Sequence, residues 1–204
     1  MKGVYVIIDP EHCAGRDPRW VCAQALRGGA VLLQLRAKQL ADAAHLTLGR
    51  ELRAQCWAAG VPFWLNDRAD LAVLCDADGL HLGQDDLPVA EARRVAGGLA
   101  LGLSTHSAAQ VEAARGQGLG LIGFGPVFDT QSKLRPDPTV GLAALGTACD
   151  LAGTLPVVAI GGITVQNAAR LRETGARYAA VIGAVCKADD PCAATRALHD
   201  ALLG

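Results

Sequence analysis

Aromatic side chains are scarce. The 204-residue chain has three Trp, two Tyr, three Phe and a single Met, so aliphatic packing must fill most of its interior. No two cysteines are spaced C-x-x-C. The seven present, Cys13, Cys22, Cys56, Cys75, Cys149, Cys186 and Cys192, are irregularly placed. That pattern argues against a zinc ribbon or a thioredoxin-like site, and for reduced, mostly buried thiols in a cytoplasmic protein. Charge of one sign is also missing. Nineteen Lys and Arg stand against twenty Asp and Glu, which gives nucleic acid or a membrane surface nothing to recognise. Apolar runs are all short, and the first ends at Asp9-Pro10, too soon for a signal peptide or a membrane span. No Pro/Ser-rich linker or charge block divides residues 1–204, so a single domain is expected.

What the chain does have is regular alternation. Short hydrophobic runs at 4–8, 31–35, 63–65, 80–82, 99–103, 119–124, 156–160 and 178–182 read as strands. Between and after them, amphipathic stretches at 19–27, 40–59, 70–74, 89–95, 108–114, 142–151, 165–173 and 192–202 read as helices. The strands are apolar throughout, as expected when both faces are buried. Eight βα units in succession predict the α/β class and a (β/α)8 TIM barrel. A doubly wound open sheet is the alternative, with two edges to protect.

In such a barrel the chemistry sits on the loops after the strands, and polar residues recur there. Gln34, Arg36 and Lys38 are two apart and share one face, where the two cations would bind phosphate; a solvated loop is the plainer reading. Asp67 and Asp86 follow neighbouring strands and suit Mg²⁺, which takes carboxylate oxygens with substrate phosphates and water; both could instead cap helices. Gly161-Gly162 and Gly183 would leave backbone N–H groups open to a phosphate, or serve only as turns. Thr130, Ser132 and Lys133 occupy the longest polar loop, suited to an anion or to a movable flap. Ser104 could donate to a phosphate oxygen, whereas His81 and His106 read as structural histidines. The inventory is a mouth with one or two phosphate sites, a metal and no obvious nucleophile. That suits a diphosphate substrate whose pyrophosphate leaves.

At these residues the chain resembles the thiamine phosphate synthase family. The likeness is carried by Gln34-Leu35-Arg36-Ala37-Lys38, Asn66-Asp67-Arg68-Ala69-Asp70-Leu71-Ala72 and Ala77-Asp78-Gly79-Leu80-His81-Leu82-Gly83-Gln84-Asp85-Asp86. It continues through Gly102-Leu103-Ser104-Thr105-His106-Ser107, Gly125-Pro126-Val127-Phe128, Thr130-Gln131-Ser132-Lys133 and Ala159-Ile160-Gly161-Gly162-Ile163. The resemblance implies Mg²⁺ on Asp67 and Asp86. It implies pyrophosphate contacts from Arg36, Lys38, Asn66, Ser104 and Lys133, and a pyrimidine contact from Gln34. It implies thiazole phosphate contacts from Thr130, Ser132, Gly162 and the backbone at Ile182 and Gly183. The implied reaction joins a hydroxymethylpyrimidine diphosphate to a thiazole phosphate through a carbocation-like path.

The chain departs from the family in three ways. Asp129 stands where Pro is usual, Gly183 where Ser is frequent, and the extra segment many relatives carry before the first strand is missing. A thiazole tautomerase of the same superfamily using His106, another phosphate-sugar barrel enzyme, and a non-catalytic phosphate-ligand sensor are the alternatives. The oligomeric state, dimer or trimer included, is left open.

Overall fold

The computed structural model describes residues 1–130 and 138–204. Its strands are β1 (Gly3–Ile8), β2 (Leu32–Leu35), β3 (Phe63–Asn66), β4 (Gly79–Leu82), β5 (Ala100–Thr105), β6 (Leu121–Phe124), β7 (Val157–Ile160) and β8 (Tyr178–Val181). The helices are α1 (Pro18–Arg27), α2 (Asp42–Ala59), α3 (Ala69–Leu74), α4 (Val89–Ala96), α5 (Ala108–Ala114), α6 (Gly141–Ala152), α7 (Val165–Ala168), α8 (Gly183–Cys186) and α9 (Pro191–Leu203). The strands pair in parallel in chain order, and β8 returns to β1 with Val4 opposite Ala179 and Val6 opposite Val181. The sheet is therefore a closed (β/α)8 barrel without the two edges of the doubly wound alternative.

Local chemistry explains where the elements start and stop. Asp17 and Asp190 open α1 and α9, each accepting a backbone N–H at 2.9 Å, with proline as the first helical residue. Gly60 ends α2 in the left-handed conformation, φ 67°. Every expected strand is found, with ends displaced by at most two residues: β5 runs on to Thr105, and β6 begins at Leu121. The helix expected over 165–173 is α7 followed by a 3₁₀ turn at Ala169–Leu171. Two single-turn elements were not expected, α8 and a 3₁₀ turn at Pro10–His12, because one turn is too short to show a period.

Alternate residues of each strand face opposite ways and build two layers. Val4, Val6, Ile8, Leu33, Leu35, Phe63 and Leu65 belong to the layer between sheet and helices. Tyr5, Ile7, Leu32, Trp64, Leu121, Val158 and Ala180 form a separate cluster inside the barrel. The aliphatic packing expected from composition describes the outer layer. The inner one is organised around Trp64. A Cβ on Gly79 would lie 2.4 Å from its indole and one on Gly102 2.8 Å from it, so these two glycines form the recess that admits the ring. No described helix is long and apolar enough to cross a membrane.

Trp64→Ala should destabilise the barrel by about 3–5 kcal/mol through the void it leaves. Gly102→Ala should cost about 1–3 kcal/mol by overpacking the same space. Thermal denaturation reads both, at about 2–4 °C of Tm per kcal/mol for a chain this long. An unchanged Tm for either variant would mean that the ring does not fill the recess.

Candidate active site

The inward side chains change character as the strands rise. Along β2 the inner face passes from Leu32 to Gln34, and Arg36 follows two residues on. The result is a cavity of about 430 Å³ at the strand C-termini, within the size range of small-molecule sites. Tyr5, Ile7, Val158, Ile160 and Ala180 give it apolar walls, and the polar groups stand around the mouth.

One side is a hydrogen-bonded chain. Tyr5 donates its phenolic proton to Gln34 Oε1 at 2.7 Å, and Gln34 Nε2 donates to Asn66 Oδ1 at 2.8 Å. Burial pushes the Tyr5 phenol well above its ordinary pKa, so it remains a donor. With its oxygen taken by Gln34, the Asn66 carboxamide offers Nδ2 to a ligand. Beside this chain Arg36 donates from Nη1 to Asp9 Oδ2. Asp9 is fully buried. Its Oδ1 accepts from Glu11 N at 3.0 Å, and His12 Nδ1 lies 3.2 Å from Oδ2. Arg36 is thus anchored from below by a buried carboxylate that in the sequence marks only the end of the first strand.

Asp67 lies in the turn directly after β3, with φ 63°, a left-handed conformation that Asp tolerates better than most residues. Its N–H donates to His81 O at 2.8 Å, and Lys38 Nζ is 3.1 Å from its Oδ2. The carboxyl group is pushed up to about 6 by burial and by the neighbouring Asp86 carboxyl group, against the pull of Lys38. Asp86 Oδ2 accepts from Gly83 N at 2.6 Å, and a Cβ at Gly83 would come within 2.9 Å of the same oxygen. Neither aspartate caps a helix: Arg68 and Pro88 hold the N-cap positions of α3 and α4 without a side-chain cap. Arg68 points elsewhere, forking onto Asp42 at 2.6 and 3.2 Å and onto Asp70 at 2.7 and 2.9 Å. The two juxtaposed carboxyl groups offer hard oxygen ligands that suit a divalent cation, while the Lys38 ammonium has no lone pair to give one. Among the described residues no group of three or more His, Cys, Asp or Glu is placed to hold a metal. A cation on this pair would therefore take its other ligands from substrate oxygens and water, as Mg²⁺ does. Lys38, Asp67 and Asp86 stand beside Asn66, outside the cavity wall itself.

Across the mouth, His81 Nε2 and Ser104 Oγ are 3.0 Å apart, and both line the cavity. His81 thus borders the cavity from within its strand, beside Ser104. Thr105 is buried, with its hydroxyl donating to Gly123 O at 2.8 Å. His106 also lines the cavity. Its Nδ1 donates to Gly125 O at 2.6 Å, which places the lone pair of the neutral ring on Nε2.

The far side is made by Asp129, Thr130, Gly161, Gly162, Ile182, Gly183 and Lys187. A Cβ on Gly161 would strike Pro126 at 2.5 Å, and one on Gly162 would strike the Asp129 carbonyl at 2.3 Å. The glycine pair is thus required by close backbone approach, and it also borders the cavity. Gln34, Arg36, Asn66, Ser104, Thr130, Gly162, Ile182 and Gly183 meet at one cavity, as expected. Ser132 and Lys133 lie outside the described residues. Tyr5, Asp9, His81 and Lys187 were not assigned to the site from sequence.

A closed barrel whose mouth gathers an arginine, two carboxamides and a serine hydroxyl, with a carboxylate pair at its rim, has the architecture of an enzyme for small phosphorylated molecules. Residues 4–185 match the family model described as thiamine monophosphate synthase. The thiamine-phosphate synthase of Natronomonas pharaonis is 43% identical, over 99% of this chain and 95% of its own. That of Roseiflexus castenholzii is 45% identical, over 97% and 86%. The solved thiamine phosphate pyrophosphorylase of Pyrococcus furiosus superposes with a TM-score of 0.89 at 33% identity, covering 99% of this chain and 97% of its own. The chain belongs to the thiamine monophosphate synthase family, and it is a transferase.

Asp9→Ala leaves the Arg36 guanidinium without its buried partner and should cost about 3 kcal/mol, which lowers Tm by about 6–12 °C; a Tm equal to the parent would show that Arg36 does not depend on Asp9. Asp67 adds a pH term. Its folded pKa is raised, so the folded chain keeps that proton to higher pH than the unfolded chain does. The stability it contributes is present below its unfolded value of 3.8 and is lost as pH rises to about 6. In EDTA, the Tm of Asp67→Asn should therefore rise relative to the parent across that window. A difference that is flat with pH would refute the raised pKa.

Proposed function

We propose that this chain is a cytoplasmic thiamine-phosphate synthase whose single barrel domain joins 4-amino-2-methyl-5-hydroxymethylpyrimidine diphosphate to thiazole phosphate, or its carboxylated form, and releases pyrophosphate with the help of Mg²⁺. The observation that carries this reading is the polar set of one cavity, Gln34, Arg36, Asn66 and Ser104, beside the Asp67–Asp86 pair. Family membership supports the reaction, and the seven free thiols suit a reducing compartment.

The reaction needs no protein nucleophile. The C–O bond between the pyrimidine methylene and the diphosphate breaks, and its electron pair leaves with the pyrophosphate. The thiazole nitrogen then gives its lone pair to the methylene carbon. Arg36, held in place by Asp9, meets the charge that develops on the leaving group, with Asn66 Nδ2, the Ser104 hydroxyl, Lys38 and Lys133. The Tyr5–Gln34 bond fixes the Gln34 carboxamide against the pyrimidine. Thr130, Gly162, Ile182 and Gly183 hold the thiazole phosphate on the far side, and Ser132, outside the described residues, is assigned to the same phosphate. Asp67 and Asp86 are the residues that would hold Mg²⁺, which when bound would add positive charge against the leaving diphosphate. The apolar walls keep bulk water from the reacting carbon.

Purified protein given both substrates and Mg²⁺ should form thiamine phosphate and pyrophosphate in equal amounts. EDTA should stop the reaction and excess Mg²⁺ restore it. Asp86→Asn should lower kcat by about 100-fold or more. Product formed at full rate in EDTA would overturn the metal assignment. Isomerised thiazole without coupling would point to a tautomerase instead.

A further inference from the structure

Lys187 lines the far side of the cavity. It directly follows α8, and its N–H donates to Gly183 O at 3.1 Å, so residues 183 and 187 lie one above the other on the same turn. Side chains in a helical turn lean towards the helix N-terminus, which here means towards Ile182, Gly183 and the cavity. The structure agrees: Lys187 Cδ and Cε would lie 3.7 and 4.0 Å from a Cβ at Gly183, so the lysine stem passes over the space that the glycine leaves open. Its backbone is pinned from outside the cavity. Arg16 donates from Nη2 to Cys186 O at 3.0 Å and from Nη1 to Ala188 O, one bond on either side of Lys187, and from Nε to Cys13 O at 3.2 Å. Among the described residues Lys187 makes no ion pair, and Asp129 borders the same cavity, its carboxylate accepting from the Thr139 hydroxyl at 2.5 Å.

We propose that Lys187 binds the phosphate monoester of the thiazole substrate, as an ammonium donor reaching over Gly183. This rests on the synthase reading and assigns one more residue to it. An ammonium offers three donors and a full positive charge. A serine hydroxyl at 183 would offer one donor and no charge. The lysine also offsets Asp129, which adds a negative charge to the side where an anion must bind.

With saturating pyrimidine diphosphate and Mg²⁺, Lys187→Ala should raise KM for thiazole phosphate about tenfold, the scale of one charge-assisted hydrogen bond. It should leave kcat and the KM for the diphosphate unchanged, and Lys187→Arg should recover most of the loss. The unphosphorylated thiazole alcohol should react equally with parent and Lys187→Ala, because it lacks the group the lysine holds. An unchanged KM for thiazole phosphate, or an equal loss with the alcohol, overturns the assignment. Calorimetric titration with thiazole phosphate alone separates the two readings. Tighter binding by the parent than by Lys187→Ala without any coupling would sink the synthase reading and keep the lysine's role, and equal binding would remove that role whatever the turnover.

Discussion

Closure of the parallel sheet is the constraint on which the rest of this molecule depends. Once β8 pairs with β1, every second residue of all eight strands must share one interior. That interior is too small for eight large side chains in a layer. The chain meets the limit by contrast, with Trp64 on β3 and glycine at 79 and 102 on the two following strands. Above the indole, the same inward positions are free to be polar. Gln34, Asn66, His81 and Ser104 occupy them, one from each of four successive strands. Placement of the site is thus a by-product of how the barrel floor is packed.

The charges at the mouth are arranged by pairing at depth and exposure at the top. Asp9 lies fully buried, and its carboxylate is shared among Arg36, His12 and a backbone N–H. Arg36 is held there with little freedom left to lose on binding an anion such as the proposed diphosphate, and preorganised charge of this kind is most effective where water is scarce. The Asp67–Asp86 pair is arranged in the opposite sense. Lys38 lies beside the pair, and burial, with the neighbouring Asp86 carboxyl group second, raises the Asp67 pKa in spite of it. A divalent cation would relieve the repulsion, so the rim is electrostatically suited to the proposed Mg²⁺. Arg68 serves that rim indirectly: by strapping Asp42 to Asp70 it ties the turn after β3 to the start of α2.

Most of the fold was legible because each strand is a short apolar run bounded by a polar turn, and the helices between them are long enough to show a period. The candidate site was legible for a related reason. Residues that directly follow a strand must come to the same end of a barrel, so Arg36, Asn66 and Asp67 could be placed without knowing what they touch. Contacts fixed only by register were not legible. Asp9 meets Arg36 because Ile8 pairs with Leu35, and nothing near Asp9-Pro10 in the chain indicates a partner 27 residues away. The position of His81 on the cavity wall was not legible, because a lone strand residue gives no sign of which face is inside. Trp64 was missed as an organiser because its fit depends on two glycines that lie 15 and 38 positions further on. The single turn after β8 carries no periodicity, so the direction of Lys187 emerged only with the coordinates.

The fit of Trp64 against Gly79 and Gly102 also bears on how such a sequence can drift. Three positions on three strands behave as one heritable unit. A lineage that enlarges either glycine while the indole remains meets a collision, and one that shrinks the tryptophan first meets a void. Each single step is therefore a descent in fitness, and the route to a differently filled barrel passes through paired changes. The floor of this barrel should be among its slowest parts to diverge, although no atom of it has to touch a substrate.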